Sequence, residues 1–188
     1  MANNIHHQYF AKLEYTPLYT LVFSRIKGLA PLDQVLIIGS GSGQDVAAAL
    51  QAGAKHVTAV EIDPSILSIG KKMHPAKPYS DPRVTVVNDD GRNFLRNTSQ
   101  KFDVIIYALT DSLVLNFGLS EIRLESFLFT LESFHDARNH LREGGVFAMY
   151  NDYRKEWLID RLENMLRAVF GDSVNKFDLG GSIRMFEV

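Results

Sequence analysis

The sequence contains no cysteine, which excludes disulfides, thiolate nucleophiles and cysteine-ligated zinc. It also lacks any apolar run approaching the ~20 residues a membrane span needs, and its first residues lack the pattern of a secretory signal. No charge of one sign dominates. With 20 basic and 22 acidic residues the formal net charge is −2, so nothing electrostatic points to nucleic acid or to an acidic membrane surface. The six histidines (His6, His7, His56, His74, His135 and His140) are scattered, and none forms a helical metal-binding pair with a carboxylate between, so no metal is expected. His135 and His140, expected on one helix, are five residues apart and do not share a face. Repeats, low-complexity tracts and linkers are absent as well. The 188 residues suffice for one domain with a full core and are few for two. A cytoplasmic location is the expectation.

What is present is a strand signal followed by a helix signal, several times over, which predicts a parallel sheet with helices packed on it. Residues 35–38 are a short apolar run bounded by Gly39, the mark of a buried strand. Residues 45–52 predict a helix stopped by Gly53, and 56–61 a second strand. Asp63 and Pro64 read as the cap and first residue of a helix to about Met73. A loop with three prolines leads to strand 83–88, a short helix around Phe94 and Leu95, and strand 102–108. Residues 109–129 have no clear period, and so long a stretch suits an active-site lid. Thr130 predicts the cap of a helix to Leu141, ended by Gly144 and Gly145 before strand 146–149. A last helix, 155–170, presents Trp157, Leu158, Leu162, Met165, Leu166, Val169 and Phe170 on one face, and residues 174–177 and 183–188 predict a closing hairpin. The aromatic segment 8–26 is read as a helix or arm packed on the core, giving an organisation of 1–30 as arm and 31–188 as the ligand-binding domain.

The chemistry is concentrated in the loop Gly39-Ser40-Gly41-Ser42-Gly43. Glycines there permit a tight strand-to-helix turn and close approach of a ligand to the backbone, and the following helix points N–H groups at it. Eighteen residues after Gly43, Glu61 ends the second strand, which places a carboxylate across the cleft where both ribose hydroxyls could donate to it. Gln44 stands where a dinucleotide fingerprint requires glycine. The third strand ends in Asp89-Asp90-Gly91, a second acidic strand end suited to an adenine amine.

In order, VLIIGSGSGQD, AVEIDP, VVNDDGRNFL, FDVIIYALTDS and LREGGV resemble the class I methyltransferase fold, and within it the spermidine synthase branch, over residues 32–150. The resemblance implies a Rossmann-like α/β fold with a mostly parallel seven-stranded sheet, a C-terminal antiparallel hairpin and helices on both faces. It implies that Gly39, Gly41, Ser42, Gly43, Glu61, Ile62, Asp90 and Gly91 line S-adenosylmethionine, its decarboxylated form or methylthioadenosine; Tyr107 and Arg123, beside and within the expected lid, are candidate substrate contacts by their position. It is nearest to spermidine synthase-like domains of bacterial proteins, some with membrane segments elsewhere, which leaves open that the chain is one soluble domain of something longer. The base-modifying Asn-Pro-Pro-Tyr pattern is absent. A small molecule, with an amine as one option, is the expected partner; nucleic acid and membrane contact are not expected, and a homodimer is left open.

Two positions depart from the branch. Its aminopropyltransferases carry an Asp in the glycine loop where this chain has Ser42. They also carry an Asp-x-x-Asp-Pro run after the fourth strand, where this chain has Ala108, then Asp111 followed by Ser112. Alanine cannot act as a base, and a general base contributes about 10²–10⁴-fold in rate. Asp111 is therefore the candidate catalytic base, or the residue that binds a cationic acceptor. The expectation from sequence is methyl transfer to a small acceptor, with aminopropyl transfer as the alternative and a catalytically silent nucleoside-binding domain as a third reading.

Overall fold

The computed structural model describes residues 16–108, 128–153, 155–181 and 183–188. The strands are β1 (Gln34–Ile38), β2 (His56–Glu61), β3 (Val84–Asn88), β4 (Phe102–Tyr107), β5 (Leu141–Asp152), β6 (Asn175–Gly180) and β7 (Ile183–Glu187). The helices are α1 (Thr16–Ile26), α2 (Gln44–Ala52), α3 (Pro64–Met73), α4 (Gly91–Asn97), α5 (Leu131–His140) and α6 (Glu156–Phe170). One sheet holds all seven strands in the order β3-β2-β1-β4-β5-β7-β6. The pairs from β3 to β5 are parallel, and β7 runs antiparallel to both β5 and β6. This is the Rossmann-like fold expected from the resemblance, hairpin included. Among the described residues no helix is long and apolar enough to cross a membrane.

Strand alternation sorts the core onto two faces. Val35, Ile37, Val104, Ile106, Ala108, Ala148 and Tyr150 face α1 and α2, whose Val22, Phe23, Ile26, Val46 and Ala49 are buried against them. Leu36, Ile38, Ile105, Tyr107, Phe147 and Met149 face the opposite way, toward α4, α5 and α6. Both faces being covered explains why these strands read as unbroken apolar runs. Residue 25 of α1 also closes the far edge: the Arg25 guanidinium lies 3.4 Å from the centroid of the Phe177 ring and 3.3 Å from Glu187.

Local signals behave as the sequence predicts at most boundaries. Asp63 accepts from the Ser65 N–H at 2.7 Å with Pro64 behind it, Thr130 accepts from the Ser133 N–H, and Gly53 ends α2 at φ 102°. Two expectations are corrected. α5 stops at His140, and Gly144 and Gly145 lie inside β5, where the β4–β5 register shifts between Phe102 and Val104. The glycine pair therefore serves an irregular strand: a Cβ on Gly145 would sit 3.0 Å from the Asp103 carbonyl oxygen. On α6, Trp157 is exposed and Ile159 buried, because Ile159, Leu162, Leu166 and Val169 share one stripe and a residue two positions earlier falls on the other side of a turn of about 3.6 residues.

Candidate functional site

The site lies at the C-terminal ends of β1, β2 and β3, the usual ligand crevice of an open parallel sheet. Gly39, Gly41 and Gly43 all have positive φ, at 77°, 55° and 106°, so the turn leaving β1 uses conformations that side chains resist. The Gly39 and Ser40 N–H groups donate to the Val60 carbonyl at 2.9 and 3.0 Å, fixing the start of the loop against β2. The two later glycines have different surroundings. A Cβ on Gly41 would meet nothing nearer than the Gly39 carbonyl oxygen at 4.0 Å, whereas one on Gly43 would stand 2.8 Å from Pro78 and 3.3 Å from Tyr79. Gly41 thus borders open space, and Gly43 is a packing glycine.

Glu61 is buried at the end of β2 and ties the loop to the strand. Its Oε2 accepts from the Gly41 N–H at 2.8 Å and its Oε1 from the Asp63 N–H at 2.9 Å. A carboxylate offers about four acceptor sites, so each oxygen retains capacity for a further donor. Asn88, which sequence reasoning passed over, donates to the carbonyls of Glu61 and Ile62 at 2.8 and 3.1 Å and holds the strand end in place. Ile62 itself is 48% exposed, an apolar side chain turned outward beside the acid.

The acidic end of β3 is knitted to that of β2, since the Asp89 N–H donates to the Glu61 carbonyl at 3.2 Å. Asp90 caps α4 by accepting from the Asn93 N–H at 2.9 Å through Oδ1. Gly91 is where a side chain would fail: its Cβ would lie 2.2 Å from Ile38 Cγ2. That contact brings the start of α4 against the end of β1, next to the glycine loop. Gly91 therefore has a packing role that the sequence did not reveal.

Tyr79 was also missed. It stands in the 3-10 turn Pro78–Ser80, and its hydroxyl meets the Ser40 carbonyl (3.1 Å), the Ser40 hydroxyl (3.0 Å) and the Gly41 carbonyl (2.7 Å). Burial pushes the phenol well above its ordinary value, so it stays a donor. Gly70 of α3 makes room for this arrangement, as a Cβ there would stand 2.5 Å from the Ser42 carbonyl oxygen and 2.8 Å from the Tyr79 ring. His74, at the end of α3, has its pKa lowered by burial. It accepts the Ala76 N–H at Nδ1, which leaves Nε2 to donate to Gln44 at 3.3 Å.

At the ends of β4 and β5 the expectations are partly revised. Tyr107, a candidate substrate contact, is fully buried; its hydroxyl bonds to Ser133 and its ring packs on Phe134 and Phe147. It is a core residue, because β4 alternation turns it toward α5 and away from the glycine loop. Ala108 is buried on the other face, and continuing the β4–β5 register by one residue sets it level with Tyr150. Tyr150 donates to Asp45 Oδ1 in the first turn of α2, and Tyr19 of α1 packs edge-on against Tyr150 with centroids 6.4 Å apart. Burial raises the Asp45 carboxyl to about 7, against the lowering pull of Tyr150 and of its own backbone N–H. Asp111, Arg123 and all but the last two residues of the expected lid lie outside the described residues.

Residues 24–176 match the spermine/spermidine synthase domain family. Among curated relatives, a polyamine aminopropyltransferase of Pectobacterium carotovorum subsp. carotovorum is 38% identical over 122 residues, covering 63% of this chain and 39% of the relative. One from Korarchaeum cryptofilum is 32% identical over 142 residues, covering 74% and 41% respectively. The chain thus spans about two fifths of the length of these relatives. A spermidine synthase solved with the transition-state analogue AdoDATO superposes with a TM-score of 0.75 at 21% identity, over 93% of this chain and 60% of that one. Human methyltransferase-like protein 13, solved with SAH, gives 0.68 at 20% identity, over 90% and 78%. At these identities both likenesses show a shared fold. With the family match spanning most of the chain, the chain belongs to the spermine/spermidine synthase domain family.

Proposed function

We propose that this chain holds the nucleoside of decarboxylated S-adenosylmethionine and serves aminopropyl transfer to an amine. The observation that carries the reading is Glu61, a buried carboxylate pinned by Gly41 and Asp63 with acceptor capacity left on both oxygens, opposite an open glycine. Glu61 would accept from the ribose hydroxyls, Ile62 would lie against the adenine face, and the second oxygen of Asp90 would accept from the adenine amine. The bound sulfonium would supply the electrophilic carbon: the amine nitrogen bonds to it, the carbon–sulfur bond breaks, and methylthioadenosine leaves. The chain's part is to hold the reacting groups in line and to accept the amine proton, for which Asp111 is the assigned residue. The curated relatives support this alternative over methyl transfer, the leading expectation from the sequence.

A catalytically silent nucleoside-binding domain is the second reading, favoured by Ser42 in the loop and by the buried Ala108 at the end of β4. Calorimetric titration with decarboxylated S-adenosylmethionine, S-adenosylmethionine and methylthioadenosine, followed by a product assay over diamines and polyamines, separates the readings. Aminopropyl transfer predicts tighter binding of the decarboxylated form and release of methylthioadenosine. Binding without product selects the silent domain, and binding of none of the three overturns the nucleoside assignment.

A further inference from the structure

Four carboxylates are buried among the described residues, and three have an evident use. Asp103 pairs with Arg142 at 3.0 Å, Glu187 pairs with Arg25 at 3.3 Å, and Glu61 holds two backbone N–H groups. Asp45 is different. Its carboxyl accepts from the Tyr150 hydroxyl and from its own backbone N–H, and no cation among the described residues pairs with it. The groups that face it are Tyr150 from β5, Tyr19 from α1 and Tyr79 from the 3-10 turn, which also feels Glu61 of β2. His74 from α3, beside Gln44, is held toward its neutral form by burial. None of these supplies a positive charge. A buried carboxylate without a cation is costly, so the group is held as the acid until a cation arrives.

Its position says which cation. Asp45 follows Gly43 by two residues, and its carboxyl reaches Tyr150, level with Ala108 at the ends of β4 and β5. A nucleoside held at Glu61 and Gly41 would extend its 5′ substituent toward this corner. We propose that Asp45 is the counter-charge of the site: it receives the primary ammonium on that substituent and releases its own proton to solvent in doing so. The inference rests on the nucleoside-binding reading above.

The test compares decarboxylated S-adenosylhomocysteine with methylthioadenosine, two thioethers that differ by one aminoalkyl arm. Each is titrated into the chain in buffers of different ionisation enthalpy between pH 6 and pH 8. The aminoalkyl ligand should release about half a proton at pH 7, rising toward one at pH 6, and methylthioadenosine none. Asp45→Asn should abolish the release and weaken the aminoalkyl ligand by roughly tenfold or more, the scale of a lost hydrogen bond to a charged group, with methylthioadenosine affinity kept within about twofold. That retained affinity also certifies the folded variant. Tyr150→Phe, which keeps the acid and removes the hydroxyl that lowers it, should move half-release to higher pH. Equal proton release from both ligands, an Asp45→Asn variant that keeps the preference, or an unmoved Tyr150→Phe profile would each overturn the assignment. Failure of both thioethers to bind the parent chain would overturn the nucleoside reading itself.

Discussion

Glu61 joins two backbone segments through one carboxylate, and this sets what its removal does. Glu61→Ala would free the Gly41 and Asp63 N–H groups as well as deleting the proposed ribose acceptor, so nucleoside binding should weaken by about 1–3 kcal/mol in calorimetry. Tyr79 acts on the same loop from behind. Tyr79→Phe removes the donor shared by Ser40 and Gly41, and urea unfolding should show a loss of about 1 kcal/mol together with weaker nucleoside binding. Glu61 was legible because its spacing from Gly43 is local arithmetic. Tyr79 was not, since its contacts span 38 and 39 residues and nothing in a proline-rich loop announces them. Tyr107 misled for the opposite reason: proximity along the chain to the end of β4 says nothing about which face of the sheet a side chain takes.

At the level of elements, the crevice depends on helices approaching the strand ends unusually closely. Gly91→Ala places a methyl 2.2 Å from Ile38, so α4 must shift away from β1. Any gain in helix propensity is outweighed by overpacking, and chemical denaturation should show a loss of about 1–3 kcal/mol. Strand and helix order was readable from the sequence because buried parallel strands are unbroken apolar runs and because Asp63, Gly53 and Thr130 are strong end signals. Gly144 and Gly145 were misread because a glycine pair after a helix resembles a stop, while its use in β5 depends on the neighbouring strand. The face of α6 was read too broadly at Trp157, since the stripe that packs is set by which residues meet the sheet.

Across the whole molecule, the buried acid should leave a signature in stability. Asp45 has a folded value of about 7 against an ordinary 3.8, so the stability it contributes is fully present below the unfolded value and is lost as pH rises through 7. Asp45→Asn removes that loss, and thermal or denaturant midpoints of the variant should overtake those of the parent chain between pH 5 and pH 8. A constant difference across that range would argue against a titrating group in the core. The tethering of the glycine loop carries a different consequence, one of kinetics. The amides of Gly41 and Asp63 both donate to the buried Glu61 carboxylate, so in the unliganded chain they should be among the slower loop positions to exchange hydrogen for deuterium. A loop already held in that shape has little entropy left to lose when a ligand arrives, and association should proceed in a single phase set by encounter, with no slow ordering step.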